Sequence, residues 1–514
     1  MKNKSKKGSL QEIIKKALGI FNFLFKAKQK RGGGLGRRRE IGKSVFRNYL
    51  DCPVLGYLSQ RKKLPGLSQL NHNFLIYETN QIRKRAQKTF PGIIDASHLK
   101  SKEIFSLLKN PKTKTLSGAK FSYKNFSARC DILNRNGEDA WDLCEIRTGK
   151  TCKLKYISDL SFNSMILEKS GVKTADKSIM YISGAYRLGM EAEKLFRFQN
   201  CNEKVEEYKA LHWDSLDKIS KEISGAEMPP PSFKRKCKNC PLFAECIGSG
   251  IEESIFDMPG LSVLRLEELI GKGIIKMEDI PEDFEMTERQ KIIRNCHKTK
   301  SVFVSAKLKE YLEKLPQPYF YLDFESINTV LPVYEGFAPH SQILTQFSID
   351  KCCGIDKVEK HFEYIADPKR NCQEEIAAKL IDVLDGNGSI IVYSNFEKRA
   401  VETLAALYPQ YAEGLNNIAG RIVDFEEVLS ENYYDIKFKG RSSIKTVLPI
   451  MSGINYDGLE IGEGGDAAAA FAFMACGVYD EEKSAKTKEF LLKYCAQDTA
   501  ALMKIHKFLN DLKV

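Results

Sequence analysis

Apolar residues that run together or alternate predict strands. Apolar residues that recur every three or four positions predict helices. Tyr319–Ser326, YFYLDFES, is a short aromatic run behind Pro316 and Pro318, and it predicts a buried strand. Ser341–Asp350 and Val358–Tyr364 predict strands beside it. Ser389–Glu397, SIIVYSNFE, is a further apolar strand that leads into a helix over Phe396–Leu407, and Glu374–Leu384 reads as a helix before it. Upstream, Ala128–Leu133 and Ala140–Arg147 predict two strands joined by the polar turn Asn134–Asp139, with Asn136-Gly137 inside it. Helical spacing covers Leu10–Phe21, residues 41–63, Glu78–Pro91 and an amphipathic run from Tyr494 to near Leu512. Pro259-Gly260 and Lys272-Gly273 bracket a short helix, and residues 282–315 are polar and helical. The pattern divides the chain into an arm (1–40), a first α/β module (41–250), a helical connector (251–315) and a second α/β module (316–514).

Chemistry gathers at the end of the Tyr319 strand. Asp323 and Glu325 are two apart, so a strand points both carboxylates to one face. Two like charges held there are costly without a positive partner, and a divalent cation supplies one. Glu397 follows the later strand. Tyr494 and Asp498 are four apart, which places them on one helix face. Arg421–Glu427 carries a rival acid, Asp424. Gly440–Pro449 holds Arg441 and Lys445 among hydroxyls, a composition suited to phosphate contacts.

The order Asp323-x-Glu325, a third acid after a later strand and Tyr494-x3-Asp498 resembles the DnaQ-like 3′–5′ exonucleases, which have a ribonuclease H-like fold. Lys493 stands where the histidine subtype would carry its histidine, so the chain resembles the tyrosine subtype. The third acid is usually aspartate, and here it is Glu397. The resemblance implies that Asp323, Glu325, Glu397 and Asp498 hold two Mg²⁺ or Mn²⁺ ions. It implies that Tyr494 orients the attacking water, and that single-stranded DNA or RNA is hydrolysed from a 3′ end.

In the first module, Asp131 on one expected strand and Glu145-Ile146-Arg147 on the next resemble the RecB-like nucleases of the PD-(D/E)XK restriction-endonuclease class. The family's lysine is replaced by Arg147, whose guanidinium stays charged and cannot act as a base. The family's later glutamine falls at Asn163. The expected module is therefore a degenerate nuclease fold, with Asp131, Glu145 and Arg147 as its residual site.

Cys237-x2-Cys240-x5-Cys246 is a compact metal-ligand frame, and Cys52 supplies a fourth thiol. One cysteine before a RecB-like core and three after it resembles the iron–sulfur nucleases of CRISPR adaptation, in which a 4Fe–4S cluster staples the two ends of the domain. Zinc is the alternative metal. The whole order resembles a bacterial family that fuses such a module to a DnaQ-like exonuclease. The Pro259–Gly273 segment resembles a helix-hairpin-helix, a device that grips phosphate backbones.

Charge refines this picture. The chain has 514 residues, 43% of them hydrophobic, and a net charge of +13. Residues 1–40 hold 13 basic and two acidic residues, a net +11, which leaves 67 basic against 65 acidic in the body. Nucleic-acid affinity in the body must come from local grooves. The arm reads as a packing or partner helix, a nucleic-acid or anionic-surface contact, or a targeting segment. Fourteen scattered cysteines in a long chain point to a reducing, cytoplasmic setting. No apolar run reaches the roughly 20 residues of a membrane span. Two further readings stay open: a non-catalytic iron–sulfur scaffold that binds nucleic acid, and a zinc-stapled RNA-processing factor.

Overall fold

The computed structural model describes residues 40–62 and 64–512. The expected helix over Leu10–Phe21 lies outside the described residues. The chain forms two compact units. The first takes the described residues up to Gly66, Leu75–Gly250 and Val330–His340; the second takes Leu67–Phe74, Ile251–Thr329 and the chain from Ser341. The expected connector, 251–315, falls within the second unit. Both units are α/β with mixed sheets.

The first unit opens with α1 (Lys43–Asp51) and α2 (Pro53–Arg61), followed by α3 (Gln69–Gln87), whose first turns belong to the second unit. The sequence predicts one helix over 41–63, and the structure corrects this. Pro53 has no N–H to donate and clashes with the preceding turn, so Cys52 is extended (φ −159°) and Pro53 starts a new helix. The two helices meet closely at Gly56, where a Cβ would lie 2.4 Å from that of Tyr49. The helix expected over Glu78–Pro91 starts at Gln69 and ends at Gln87, before Pro91.

Strands β1 (Ile93–Asp95), β2 (Thr115–Ser117), β3 (Lys120–Tyr123), β4 (Phe126–Arg129), β5 (Ile132–Asn136), β6 (Ala140–Arg147), β7 (Lys173–Ile182) and β8 (Phe196–Asn200) follow. Six of them form one sheet in the order β1-β2-β5-β6-β7-β8, and β3 and β4 form a hairpin. The strand expected over Ala128–Leu133 is broken at Cys130-Asp131: β4 pairs with β3, while β5 pairs with β2 and β6. Asp131 therefore lies in the gap between two strands. Helix α4 (Ser101–Lys109) joins β1 to β2, α5 (Leu154–Lys169) packs on the sheet, and α6 (Asn202–His212) and α7 (Leu216–Ser224) close the unit. Phe46, Phe126 and Phe162 meet in the core, with the Phe46 and Phe162 rings 5.0 Å apart.

The second unit contains α8 (Val263–Gly271), α9 (Glu288–Thr299), β9 (Phe303–Val304) and α10 (Leu308–Glu313) before its main sheet. The sheet consists of β10 (Tyr319–Ile327), β11 (Ile343–Cys352), β12 (Val358–Ile365), β13 (Ser389–Val392) and β14 (Ile422–Asp424), in the order β12-β11-β10-β13-β14. The first three strands form an antiparallel meander, and β13 and β14 run parallel to β10. Helices α11 (Gln373–Val383), α12 (Asn395–Leu407), α13 (Ala412–Gly420) and α14 (Phe425–Asn432) connect them; β15 (Tyr433–Tyr434) pairs with β9; α15 (Ile444–Ser452), α16 (Gly464–Ala475) and α17 (Glu481–Asp511) complete the unit.

β10 is central and buried on both faces. Phe320, Leu322 and Phe324 enter one core with α11, α12 and α13, and Tyr319 and Tyr321 enter the other with α14 and α17. Asp323 and Glu325 continue the tyrosine face. The register of β10 against β11 shifts after Glu325, a bulge that ends regular pairing beside the acids.

Candidate metal centre

Three elements deliver carboxylates to one place in the second unit. β10 brings Asp323 and Glu325. α17, capped by Asp480, turns Leu491, Tyr494, Cys495, Asp498, Leu502 and Ile505 inward at helical spacing. That face is pinned to the sheet: Gln346 Nε2 donates to Leu491 O at 2.8 Å, and Thr499 Oγ1 donates to Asp350 Oδ2 at 2.7 Å. Potential ligand atoms of Asp323, Glu325 and Asp498 all lie within 4.8 Å of one another. Glu397 sits in the first turn of α12, which is separated from the parallel strand β13 by two residues. Ser394 caps that turn, accepting from Phe396 N, and its hydroxyl lies 3.4 Å from Glu397 Oε2. Asp323, Glu325 and Glu397 thus lie beyond the paired stretch of the parallel strands β10 and β13, toward the end where open α/β sheets place their sites, and α17 brings Asp498 to them.

The electrostatics set this cluster apart. Burial raises Asp323 well above the usual carboxylate range, and Asp498, Glu325 and Glu397 push it further. Glu325 is raised by burial and by Asp498. Burial raises Asp498 to about 6, against hydrogen bonds from Tyr456 and Tyr494 and the nearby charge of Lys445. Burial lifts Glu397 to about 8, with Asp424 and Asp498 adding to it. These carboxylates lack cations equal to their charge. A donor set of clustered, buried carboxylate oxygens fits hard divalent ions.

Reading the sequence alone misses two members of this centre, Tyr456 and Cys495, and does not tie a third, Lys445, to it. Tyr456, in the loop between α15 and α16, donates its hydroxyl to Asp498 Oδ1. Cys495 directs its thiol at Asp323 Oδ2, 3.1 Å away. Lys445, flagged only for loose phosphate contact, lies beside Tyr456 and Tyr494 with its ammonium 5.0 and 5.2 Å from their ring centroids. Asp424 takes another role: it caps α14, accepting from Glu426 N at 2.8 Å.

The first unit brings Asp131, Glu145, Arg147 and Asn163 together in a different electrostatic state. Lys43 Nζ lies 2.9 Å from Glu145 Oε2, and Arg147 Nη2 lies 3.0 Å from the same oxygen. Arg147 also faces Asp131 at 3.5 Å and Asp159 at 3.4 Å. Arg83 pairs with Asp131 at 3.1 Å, and Arg47 with Asp159. Asn163 Nδ2 donates to Glu145 Oε1 at 2.6 Å, and Ile146 N to Asp131 Oδ2 at 3.0 Å. Burial opposes ionisation of Glu145, but Lys43 and Arg147 outweigh it and hold the carboxyl at about 2. Asp131 differs: burial and the Glu145 charge keep its carboxyl above the ordinary range despite Arg83, Lys43 and Arg147.

The cysteine frame also assembles within the first unit. Cys52, Cys237, Cys240 and Cys246 line one pocket with Leu55, Leu242 and Phe243. Val54, Tyr57, Leu58 and Leu242 form its apolar floor. Burial raises Cys246 to about 11, and Cys52, Cys237 and Cys240 add to it, which marks the four sulfurs as electrostatic neighbours. Four converging thiols on an apolar floor fit a thiophilic metal group. No described helix is long and apolar enough to cross a membrane.

Residues 320–443 match a family described as a domain of unknown function, DUF2779. The match contains Asp323, Glu325 and Glu397 and stops before Lys445, Tyr494 and Asp498. The chain is similar to an uncharacterized protein of Mycoplasma pneumoniae, the MG366 homolog, with 25% identity over 263 residues. It is also similar to the uncharacterized protein MG366 of Mycoplasma genitalium, with 30% identity over 237 residues. These alignments cover 47% and 41% of this chain, and only 40% and 35% of the relatives.

Proposed function

We propose that the second unit is a metal-dependent nuclease that hydrolyses phosphodiester bonds of single-stranded DNA or RNA from the 3′ end. The observation that carries this reading is the convergence of Asp323, Glu325 and Asp498, whose carboxylate oxygens lie within 4.8 Å of one another, with Glu397 close enough to act on Asp323 and Tyr494 on the same helix face as Asp498. The order β12-β11-β10-β13-β14, a meander followed by parallel strands, supports a ribonuclease H-like, DnaQ-type fold.

When bound, two Mg²⁺ or Mn²⁺ ions held by these acids would polarise the scissile phosphate and stabilise charge on the attacking and leaving oxygens. The chain's own groups prepare for that. Asp323 and Glu325 are fixed by a central strand that cannot shift without breaking two cores. Tyr494, raised by burial and by Asp498, stays protonated and presents a hydroxyl that holds a water in line. Tyr456 fixes the Asp498 carboxylate.

The first unit, in this reading, is a degenerate PD-(D/E)XK-type module that grips nucleic acid and carries a 4Fe–4S cluster on Cys52, Cys237, Cys240 and Cys246. The pairing of Glu145 with Lys43 and Arg147, and of Asp131 with Arg83, supports the loss of its own metal site.

The test is degradation of end-labelled single strands, DNA and RNA, with Mn²⁺ or with chelator, by wild type, Asp323→Ala and Asp131→Ala. Loss in Asp323→Ala alone is expected. Undiminished metal-dependent cleavage by Asp323→Ala would sink the assignment. Loss in Asp131→Ala as well would mean that the first unit is catalytic. Binding without cleavage by the wild type would favour a scaffold.

A further inference from the structure

We propose that Lys445 is the phosphate-binding residue of the acid centre, the group that receives a non-bridging oxygen of the nucleotide next to the scissile bond. This rests on the nuclease reading of the site and adds its anion subsite.

Lys445 enters from the first turn of α15, and its ammonium donates to Gly462 O at 2.6 Å. It lies 5.0 Å from the centroid of the ring of Tyr456, which hydrogen-bonds Asp498, and 5.2 Å from that of Tyr494, one helical turn before Asp498. Its charge acts on Glu325 and Asp498. Yet among the described residues it has no carboxylate within the 4.0 Å of an ion pair. The first unit shows the contrast: Lys43 sits on Glu145 at 2.9 Å and spends its charge there. Lys445 is held off its acids by a backbone carbonyl and two aromatic rings. An ammonium has three donors, and the Gly462 carbonyl takes one. The remainder face a centre whose acids are matched by divalent ions when loaded.

Charge selects the occupant. Four carboxylates balance two divalent cations, which leaves the lysine as the net positive group. A phosphodiester carries the single negative charge that completes neutrality. A lysine used only to neutralise acids would compete with metal, so its removal would tighten metal binding and leave anion binding alone. A phosphate ligand behaves the opposite way toward the anion.

The experiment titrates the full chain with AMP and dAMP in the presence of Ca²⁺, and separately with Ca²⁺ alone. Wild type, Lys445→Met and Lys445→Arg are compared, with a thermal melt of each. Lys445→Met is expected to weaken nucleotide binding at least tenfold with Ca²⁺ affinity unchanged or tighter. Lys445→Arg is expected to restore most of the loss. The slope of log affinity for a single strand against log salt should become shallower by about one in Lys445→Met. Equal nucleotide affinity in wild type and Lys445→Met overturns the proposal, as does absent nucleotide binding by the wild type. A nucleotide loss matched by an equal loss of Ca²⁺ affinity or by a lowered melt also overturns it. Nucleotide binding that depends on Lys445 in a chain that cleaves nothing defeats the nuclease reading and leaves the phosphate subsite standing.

Discussion

Tyr456 donates a hydrogen bond to Oδ1 of Asp498 from 42 residues earlier in the chain. Its ring lies 6.2 Å from that of Tyr494, whose hydroxyl acts on the same carboxylate. One acid is thus held by a tyrosine from a distant loop and flanked by one from its own helix. Hydrogen bonds to charged groups contribute about 1.5–3 kcal/mol. On the nuclease reading, Tyr456→Phe should therefore lower kcat by roughly tenfold or more at unchanged KM, because it would loosen a proposed metal ligand without touching substrate. Steady-state cleavage of a labelled oligonucleotide checks this. A KM effect alone would instead make Tyr456 a substrate contact.

Arg147 answers the same kind of question in the first unit. It is 11% exposed and faces Glu145, Asp131 and Asp159. Removing one partner of a buried ionic network leaves the others uncompensated and costs about 3–5 kcal/mol. Arg147→Met should lower stability by that order, measured by denaturant unfolding. The double variant Arg147→Met/Glu145→Gln should recover part of it, since the two act as one network. Additive losses in the double variant would show that Arg147 and Glu145 do not depend on each other.

These two centres show which parts of the molecule the sequence discloses. Asp323, Glu325, Tyr494 and Asp498 were legible because strand and helix periodicities state which residues share a face. The cysteine frame was legible because three of its thiols are close in sequence. Tyr456 lies in an aperiodic loop, where no spacing rule links it to α17. The network around Glu145 was legible only in Asp131, Glu145, Arg147 and Asn163. Lys43, Arg47 and Arg83 come from α1 and α3, and tertiary packing alone brings them in. The break at Cys130-Asp131 has a related cause: Ala128–Leu133 carries no glycine or proline to mark an interruption, and only its pairing partners divide it. Pro53, in contrast, was a local signal for the break at Cys52 that helical periodicity masked.

The cysteine pocket makes a spectroscopic prediction. Anaerobically purified wild type should absorb visible light and contain about four iron and four sulfide per chain. Cys246→Ser should lose the colour and lower the melt of the first unit, because Cys52 and the Cys237–Cys246 segment are then no longer joined. Colourless wild type containing stoichiometric zinc would replace the cluster with a zinc staple.

His506 gives the pH dependence. It is fully buried on α17, with Nδ1 2.9 Å from the Tyr321 hydroxyl and Nε2 without a partner. Tyr319 and Phe425 pack their rings against it at 5.1 and 5.0 Å. Burial lowers its pKa to about 4, from an ordinary value near 6.5. The unfolded chain therefore binds a proton there between about pH 6.5 and pH 4 that the folded chain refuses, and stability falls as pH falls through that window. Above about pH 6.5 both states are neutral and the contribution is fully present. Its loss by pH 4 amounts to about 3 kcal/mol at one pKa unit per roughly 1.4 kcal/mol. The buried acids Asp323, Glu325 and Glu397 act in the opposite direction, since a raised carboxyl pKa favours the folded state in acid. The informative quantity is the difference between wild type and His506→Gln, in which the acids cancel. That difference should be largest at neutral pH and shrink steadily toward pH 4. A difference independent of pH would show that His506 is not held neutral by its burial.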